Sequence, residues 1–483
     1  MYSTEHASLT LPTNTYTKIN ALLSTPTSHN FLVGSSNVQR QGSQTLPTNT
    51  ISLINFTESS NKLKLVSTYD FNEQGEILTL ESISSKRGQI IATTKNTEDG
   101  LYNVGVYTLE DIPVEEDDDL DSNVSDSGSE DGEMRTRRDS SNNNVYDEGG
   151  LTNRNSDYNK KTTINHCLGP QLMPVNTALP IAPDSYSDFN SMLLATPQSI
   201  KTYDLTKEEY GNIIELPDDN TSYITKCSLD PHNSNLIGSI SGANFLVYDV
   251  RGGGNKPVVD IQGAHMYSIK DLDYNPNRPY FVATGGEDGL VKFWDLRSAG
   301  KDGNGNIGLS GISNTVGKKE NLPPPPPSSS SSTDDIGNNN KHSLLCKVLL
   351  GHTHWLTTVK YNRFHDQLLA SAGTDSCVNL WRVSSISSAP LLELDDDNSM
   401  NESFEGDDEY EKRDSRGGSI SAGKILPKSN TGDMRLSSFS GHGESVYDIA
   451  WSACDAWVFA SLSFDGNVVL NHVSSEEKYK ILL

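Results

Sequence analysis

The 483-residue chain has few cysteines and no long apolar run. Its five cysteines are Cys167, Cys227, Cys346, Cys377 and Cys454, an odd number with no CxxC pair. Neither a disulfide framework nor a zinc site is therefore indicated. No stretch approaches the roughly 18 consecutive apolar residues that a membrane-spanning helix needs. The first residues, MYSTEHASLTLPTNTYTK, lack the basic-then-apolar pattern of a secretory signal. A cytoplasmic, reducing location is expected, in which sequons such as Asn55-Phe56-Thr57 carry no glycan. A phosphate-binding glycine loop and an HExxH helix are missing too, so no cofactor or metal is expected.

Positive charge is also scarce. Lysine and arginine total 38 against 64 aspartates and glutamates, a net charge of −26. The imbalance is local. Glu110 to Glu133 holds 12 acidic residues and no basic one, and Glu393 to Glu411 holds 10 and none. The rest of the chain is near neutrality, so the acidity belongs to two tracts rather than to a charged binding face. The absence of a basic patch argues against binding nucleic acid or anionic membrane. Each tract is followed by a basic cluster with a serine, Arg137-Arg138-Asp139-Ser140 and Lys412-Arg413-Asp414-Ser415. Ser140 and Ser415 fit basophilic kinase sites, a kind of short match that also arises by accident.

A repeat dominates what remains. His265, His352 and His442 each stand 23 residues before an aspartate, Asp288, Asp375 and Asp465. Six residues after each aspartate is Trp294, Trp381 or Asn471. The blocks begin AHMYSIKDLDYNPNRPYFVATGGEDGLVKFWD, GHTHWLTTVKYNRFHDQLLASAGTDSCVNLWR and GHGESVYDIAWSACDAWVFASLSFDGNVVLNH. Each is a series of short apolar runs separated by turn signals, including Asp-Gly or Asp-Ser, which predicts antiparallel strands. The pattern resembles the WD40 repeat, one four-stranded blade of a β-propeller. The expected fold is all-β, a seven-bladed WD40 propeller.

That resemblance implies a hydrogen-bonded chain of His, Ser or Thr, Asp and Trp in each blade. Here it gives His265/Thr284/Asp288/Trp294 and His352/Ser371/Asp375/Trp381. The third set, His442/Ser461/Asp465, has Asn471 in place of tryptophan, so its blade is expected to be less firmly held. Repetition argues against reading these sets as catalytic triads, since an enzyme needs one such site. Weaker copies precede them. Tyr248-Asp249-Val250-Arg251 echoes Trp294-Asp295-Leu296-Arg297, with Gly242 where the turn aspartate is expected. Further runs end at Tyr203-Asp204-Leu205 and Tyr107, and FLVG at Phe31 with ISLINF at Ile51 opens a first blade. Either ASLTLP near Ala7 or the terminal KYKILL could supply the closing strand, with the N-terminal segment preferred.

Three segments lack apolar periodicity and are expected to be disordered insertions: 113–160, 298–342 and 385–432. The first is acidic then Asn/Ser-rich, the second holds Pro323 to Pro327 and Ser328 to Ser332, and the third is acidic then Ser/Gly-rich. Each follows an aromatic-ending strand, so all three are expected to leave one kind of loop.

The stretches DLDYNPNRPYFVATGGEDGLVKFWDLR, HTHWLTTVKYNRFHDQLLASAGTDSCVNLWRVSSISSAP, SVYDIAWSACDAWVFASLSFDG and KYKILL are similar to the EARP and GARP complex-interacting protein family. The FLVG segment, the GEI at Gly75 and the acidic insert after SSISSAP match as well. The resemblance is dense from Asp271 onward and thin before Ser222. It implies a non-catalytic adaptor for vesicle-tethering complexes, peripheral at endosomes and the trans-Golgi network and monomeric outside the complex. The Asn/Ser/Pro-rich insertions and the degraded fourth blade depart from it.

WD40 geometry also implies exposed narrow-face positions three and five residues after the His and one before the Asp. These are Ser268, Lys270 and Glu287; Trp355, Thr357 and Thr374; and Ser445, Tyr447 and Phe464. Trp355, Tyr447 and Phe464 are candidates for a hydrophobic docking patch, although such aromatics also pack on their own blade. A second reading is a substrate receptor of a cullin-RING ubiquitin ligase. FVATGGEDGLVKFWDLR resembles a WDxR box, in which Trp294 and Arg297 would matter. A propeller enzyme would need polar groups converging on the central channel, and the sequence displays no such constellation.

Overall fold

Short apolar runs cut by tight turns pair with their neighbours in sequence, because a hairpin closes the smallest loop. In the computed structural model this happens seven times. The structure describes residues 7–11, 16–25, 28–35, 49–71, 75–83, 88–96, 99–110, 112, 159–160, 162–181, 190–216, 223–252, 255–298, 344–388 and 432–482. Within them lie seven sheets, each built on four antiparallel strands named a to d from inner to outer, in chain order in all but the last blade. The chain is a seven-bladed β-propeller.

Blade 1 comprises Tyr16–Thr25, Ser28–Ser35, Thr50–Thr57 and Lys62–Asp70, and blade 2 Glu76–Ser82, Gln89–Lys95, Tyr102–Leu109 and Thr162–Gln171. Blade 3 comprises Thr177–Ile181, Ser191–Ala195, Ser199–Asp204 and Glu209–Glu215. Blade 4, with its degraded repeat, still has four strands: Lys226–Asp230, Asn233–Ser241, Asn244–Asp249 and Val259–Ile261. Blade 5 is Ile269–Tyr274, Phe281–Gly286, Leu290–Asp295 and Leu345–Leu350, and blade 6 is Leu356–Tyr361, Leu368–Gly373, Val378–Arg382 and Met434–Phe439. Blade 7 takes Val446–Trp451, Val458–Ser463 and Asn467–His472 from the C-terminal part of the chain and its outer strand, Ser8–Thr10, from the N-terminal part.

The ring thus closes through the N-terminal segment, with Ser8 opposite Val469 and Thr10 opposite Asn467. KYKILL is not a strand. It belongs to the helix Ser475–Leu482, in which buried Glu477 pairs with Arg382 of blade 6 at 2.7 Å. A helix there satisfies its own backbone and leaves Ile481 to pack on the apolar cluster of blades 6 and 7.

Seven apolar clusters fill the seven seams between adjacent blades. Alternation along each strand puts one residue on each face, so each blade feeds two seams. The interface of blades 7 and 1, for example, packs Leu11, Phe31, Val33 and Ile54 against Val458, Leu462 and Leu470.

Most of the three expected insertions lies outside the described residues, as do Ser140 and Ser415. Their flanks place all three between strands c and d, of blades 2, 5 and 6. Antiparallel alternation puts those loops on the face opposite the d–a and b–c loops. Their edges differ slightly from the sequence expectation. Asn159–Lys160 pairs in parallel with Thr68 and Tyr69 as a fifth strand on blade 1. Ser384–Ile386 forms a 3-10 turn whose Ile386 is buried. Asp433 fastens the return of the third segment, accepting hydrogen bonds from Ser385 and pairing with Lys347.

Candidate functional site

The repeat histidines sit where strand d hands over to the next strand a, facing the b–c turn. That turn needs a left-handed residue after the aspartate, and φ is +71° at Gly289, +61° at Ser376 and +79° at Gly466. In blade 5 His265 Nδ1 lies 2.8 Å from Asp288, and Nε2 lies 2.8 Å from Thr284 Oγ1. The Trp294 indole donates to the same hydroxyl at 2.8 Å. Blade 6 repeats this. His352 Nδ1 is 3.1 Å from Asp375, its Nε2 is 2.8 Å from Ser371 Oγ, and Trp381 donates to Ser371 at 2.8 Å. Burial pushes both carboxyls up, but the histidine bonds and backbone donors outweigh it and hold Asp288 and Asp375 below the usual carboxylate range. These chains tie d–a loop, strand b and strand c together, so their position is structural.

Blade 7 differs. His442 Nε2 reaches Ser461 Oγ at 2.7 Å, and Asn471 donates to that hydroxyl at 3.0 Å, occupying the tryptophan's role. Asp465 is not brought to His442. It accepts a 2.5 Å bond from Ser463 Oγ and is exposed, while His442 Nδ1 is buried with no hydrogen-bond partner among the described residues. The cause is one residue. Gly286 and Gly373 occupy the position equivalent to Ser463, and a Cβ there would lie 2.6 Å from His265 Nδ1 and 3.1 Å from His352 Nδ1. A Cβ would collide with the imidazole in blade 5 and crowd it in blade 6, so glycine favours the His–Asp pair. The signal was in the sequence, as GGED and AGTD against LSFD, but it lay outside the tetrad itself.

The candidate docking positions divide. Trp355, Tyr447 and Phe464 are exposed, at 48%, 38% and 36%. The Tyr447 and Phe464 rings lie 5.6 Å apart, and His354 lies 5.2 Å from Trp355. The loops beneath are linked in series. Thr374 N donates to Trp355 O at 2.8 Å, Ser445 Oγ to Thr374 O at 3.5 Å, and Phe464 N to Ser445 O at 3.0 Å. Lys270 and Glu287 pair with each other at 2.7 Å. Thr357 turns inward, donating to Val446 O at 2.7 Å, so it is a seam contact. Met266 and Tyr267, 76% and 51% exposed, extend the apolar character of this face onto blade 5. They immediately follow His265, a position that the three-per-blade pattern skips.

The structure also assembles what the sequence did not display, a charged constellation in the central channel. Lys226 lies 2.6 Å from Asp271, and Lys360 lies 3.3 Å from it. Asp271, fully buried, accepts from Thr358 Oγ1 at 2.8 Å and Val359 N at 3.1 Å. Asp273 accepts from Tyr361 N at 2.8 Å and Arg363 at 3.0 Å. Asp448 accepts from Ile19 N at 3.3 Å, and Asn20 donates to Glu81 at 2.8 Å. Burial pushes Asp271 up, but Lys226 and Lys360 outweigh it and hold it well below the carboxylate range. Glu81 is raised, by burial first and Asp448 second. These residues come from inner strands far apart in sequence, so no linear motif announces them. They stitch neighbouring blades through backbone N–H groups, a buried charge network made tolerable by pairing.

The geometry is that of a WD40-repeat propeller, and the comparisons agree. The WD domain, G-beta repeat family model matches residues 256–295, 344–382 and 434–470. The chain is similar to the EARP-interacting protein homolog of Gekko japonicus, 31% identical over 252 residues, 52% of this chain and 50% of that protein. EARP and GARP complex-interacting protein 1 of Homo sapiens is likewise 31% identical over 252 residues, with 52% and 50% covered. EARP-interacting protein 1 of Caenorhabditis elegans is 30% identical over 251 residues, with 52% and 51% covered. The chain spans about half the length of the curated relatives it matches. These relatives carry the names of the family that the sequence resembles. No helix among the described residues is long and apolar enough to cross a membrane.

Proposed function

We propose that this propeller is a non-catalytic adaptor that binds the EARP and GARP vesicle-tethering complexes. It supports their recruitment in endosomal recycling and retrograde sorting. It acts from the cytoplasm, peripherally at endosomes and the trans-Golgi network, and is monomeric outside the complex. The names of the relatives support the partner. The observation that carries the docking site is the exposed trio Trp355, Tyr447 and Phe464, mounted on hydrogen-bonded loops of adjacent blades. Aromatics on a rigid support lose little freedom on binding, which is why they dominate interface energetics. The strand ends that flank the long insertions are c–d ends, on the opposite face.

The ligase-receptor reading rests on Arg297. Its guanidinium forks onto Asp295 at 2.8 and 2.5 Å and lies 5.1 Å from the Phe281 ring centre. Arg251 forks onto Asp249 in the same way in blade 4. A contact recurring in two blades fits a brace at the end of strand c, and this favours the tethering role. The test is affinity purification with quantitative mass spectrometry on wild type, Trp355→Ala/Tyr447→Ala and Arg297→Ala, each checked for folding by circular dichroism. The proposal expects tether subunits with wild type and Arg297→Ala and their loss from the folded aromatic variant. Tether subunits retained by that variant would overturn the site. A ubiquitin-ligase adaptor in their place, lost on Arg297→Ala, would overturn the role.

A further inference from the structure

At the seam of blades 1 and 7, on the face opposite the aromatic trio, three side chains converge. His29 lies at the start of strand b of blade 1, Glu58 follows its strand c, and Asp455 lies in the a–b loop of blade 7. One ligand-capable atom from each lies within 4.8 Å of the others. His29 is fully buried, and its Nε2 has no hydrogen-bond partner among the described residues.

The ring is held in place. Nδ1 lies 2.8 Å from Ser452 Oγ, and the imidazole stacks on Phe56 with centroids 5.8 Å apart. This is how a metal-binding imidazole is usually oriented, with one nitrogen engaged by a neighbour so that the other faces the ion. When Nδ1 donates to Ser452, Nε2 presents a lone pair to two carboxylates, an arrangement of acceptors that only a cation or a proton reconciles. Nε2 lies 3.5 Å from Glu58 Oε1. Two ligands at about 2.1 Å from a tetrahedral zinc ion are about 3.4 Å apart.

We propose that His29, Glu58 and Asp455 bind a divalent transition-metal cation of the zinc class. One imidazole and two carboxylates suit such an ion better than magnesium, which favours oxygen-only, largely hydrated coordination. The bound ion links blade 1 to blade 7 beside the seam that the N-terminal strand closes, so it acts as a second clasp on the ring.

The test uses the full chain, stripped with a chelator, in isothermal titration with zinc chloride and in thermal unfolding with and without zinc. Wild type is expected to bind one zinc ion that the Glu58→Gln/Asp455→Asn variant does not bind. Zinc is expected to raise the melting temperature of wild type only. Glu58 is exposed, and an asparagine at 455 keeps the oxygen that accepts from Trp457 N at 2.8 Å, so without zinc the variant should melt with wild type. Binding should survive Cys454→Ser, and magnesium should produce no shift. Absence of zinc binding to wild type overturns the site. So does an equal stoichiometry and equal thermal shift in the double carboxylate variant, which would assign the metal to other side chains.

Discussion

Ser463 Oγ donates to Asp465 at 2.5 Å and so takes the carboxylate that Asp288 and Asp375 give to His265 and His352. His442 loses its acid partner as a result. Burial pushes its pKa down to about 4, and the charge of Asp465 only partly offsets this. A histidine whose folded pKa is depressed binds its proton in the unfolded chain first. The stability it contributes is therefore lost as pH falls from its ordinary value of 6.5 towards 4. Ser463→Gly restores the space used in blades 5 and 6. Its expected effect is a higher His442 pKa in histidine-resolved NMR titration and a shallower loss of melting temperature between pH 6.5 and 4. An unchanged His442 titration would show that the serine is not the cause.

The N-terminal strand closes the ring. Besides pairing Ser8–Thr10 with Asn467–Val469, Leu11 is buried and donates its N–H to Gly466 O at 3.0 Å. Deleting residues up to Leu11 exposes the edge of strand c in blade 7 and opens the seam with blade 1. Hydrogen exchange is expected to accelerate first in Val458–Ser463 and Asn467–His472. Protection of those strands matching wild type would count against closure at this seam.

Asp271 is the centre of the channel network. Asp271→Asn leaves Lys226 and Lys360 facing one another without the carboxylate between them. Breaking a buried pair in this way costs about 3–5 kcal/mol. Urea unfolding should show a loss of that order, persisting at high salt because Asp271 itself is fully buried. A loss below about 1 kcal/mol, the range of a surface pair, would show the network to be solvated.

Glu81 carries the opposite shift. Its pKa is raised by burial first and by Asp448 second, against the opposing lysines. Its ionised form is therefore disfavoured in the fold, a cost present above its folded pKa and relieved as pH falls through it. Glu81→Gln keeps an acceptor for Asn20 and removes the charge. It is expected to raise the melting temperature by a few degrees above neutral pH, with the gain fading in acid. A variant less stable than wild type at pH 8 would mean that Glu81 is needed as a counter-ion for Lys360.

Blades 5, 6 and 7 were legible because their signals are local. A histidine, a turn aspartate and an aromatic at set intervals describe one hairpin system, and the turn residues enforce it. The first four blades kept apolar alternation but had lost the tetrad residues. Their strands were visible at Phe31, Ile51, Tyr107 and Tyr203, while their pairings were not. The blade 7 defect was half legible. The missing tryptophan at Asn471 is printed in the chain, yet Asn471 still donates to Ser461. The consequential change is Ser463, whose effect depends on where a Cβ would fall in space.

By itself the sequence determined the repeat, the all-β class, the number of blades and the loop type from which the acidic tracts leave. These follow from period-two alternation and turn chemistry, which act over a few residues. Only the tertiary structure decided which end closes the ring, since Ala7–Leu11 and KYKILL compete for one edge and the latter satisfies its backbone as a helix. It alone assembled the channel charges and the His29, Glu58 and Asp455 cluster. Closing a ring brings residues 19 and 448, or 29 and 455, side by side, and nothing in the spacing along the chain encodes that contact.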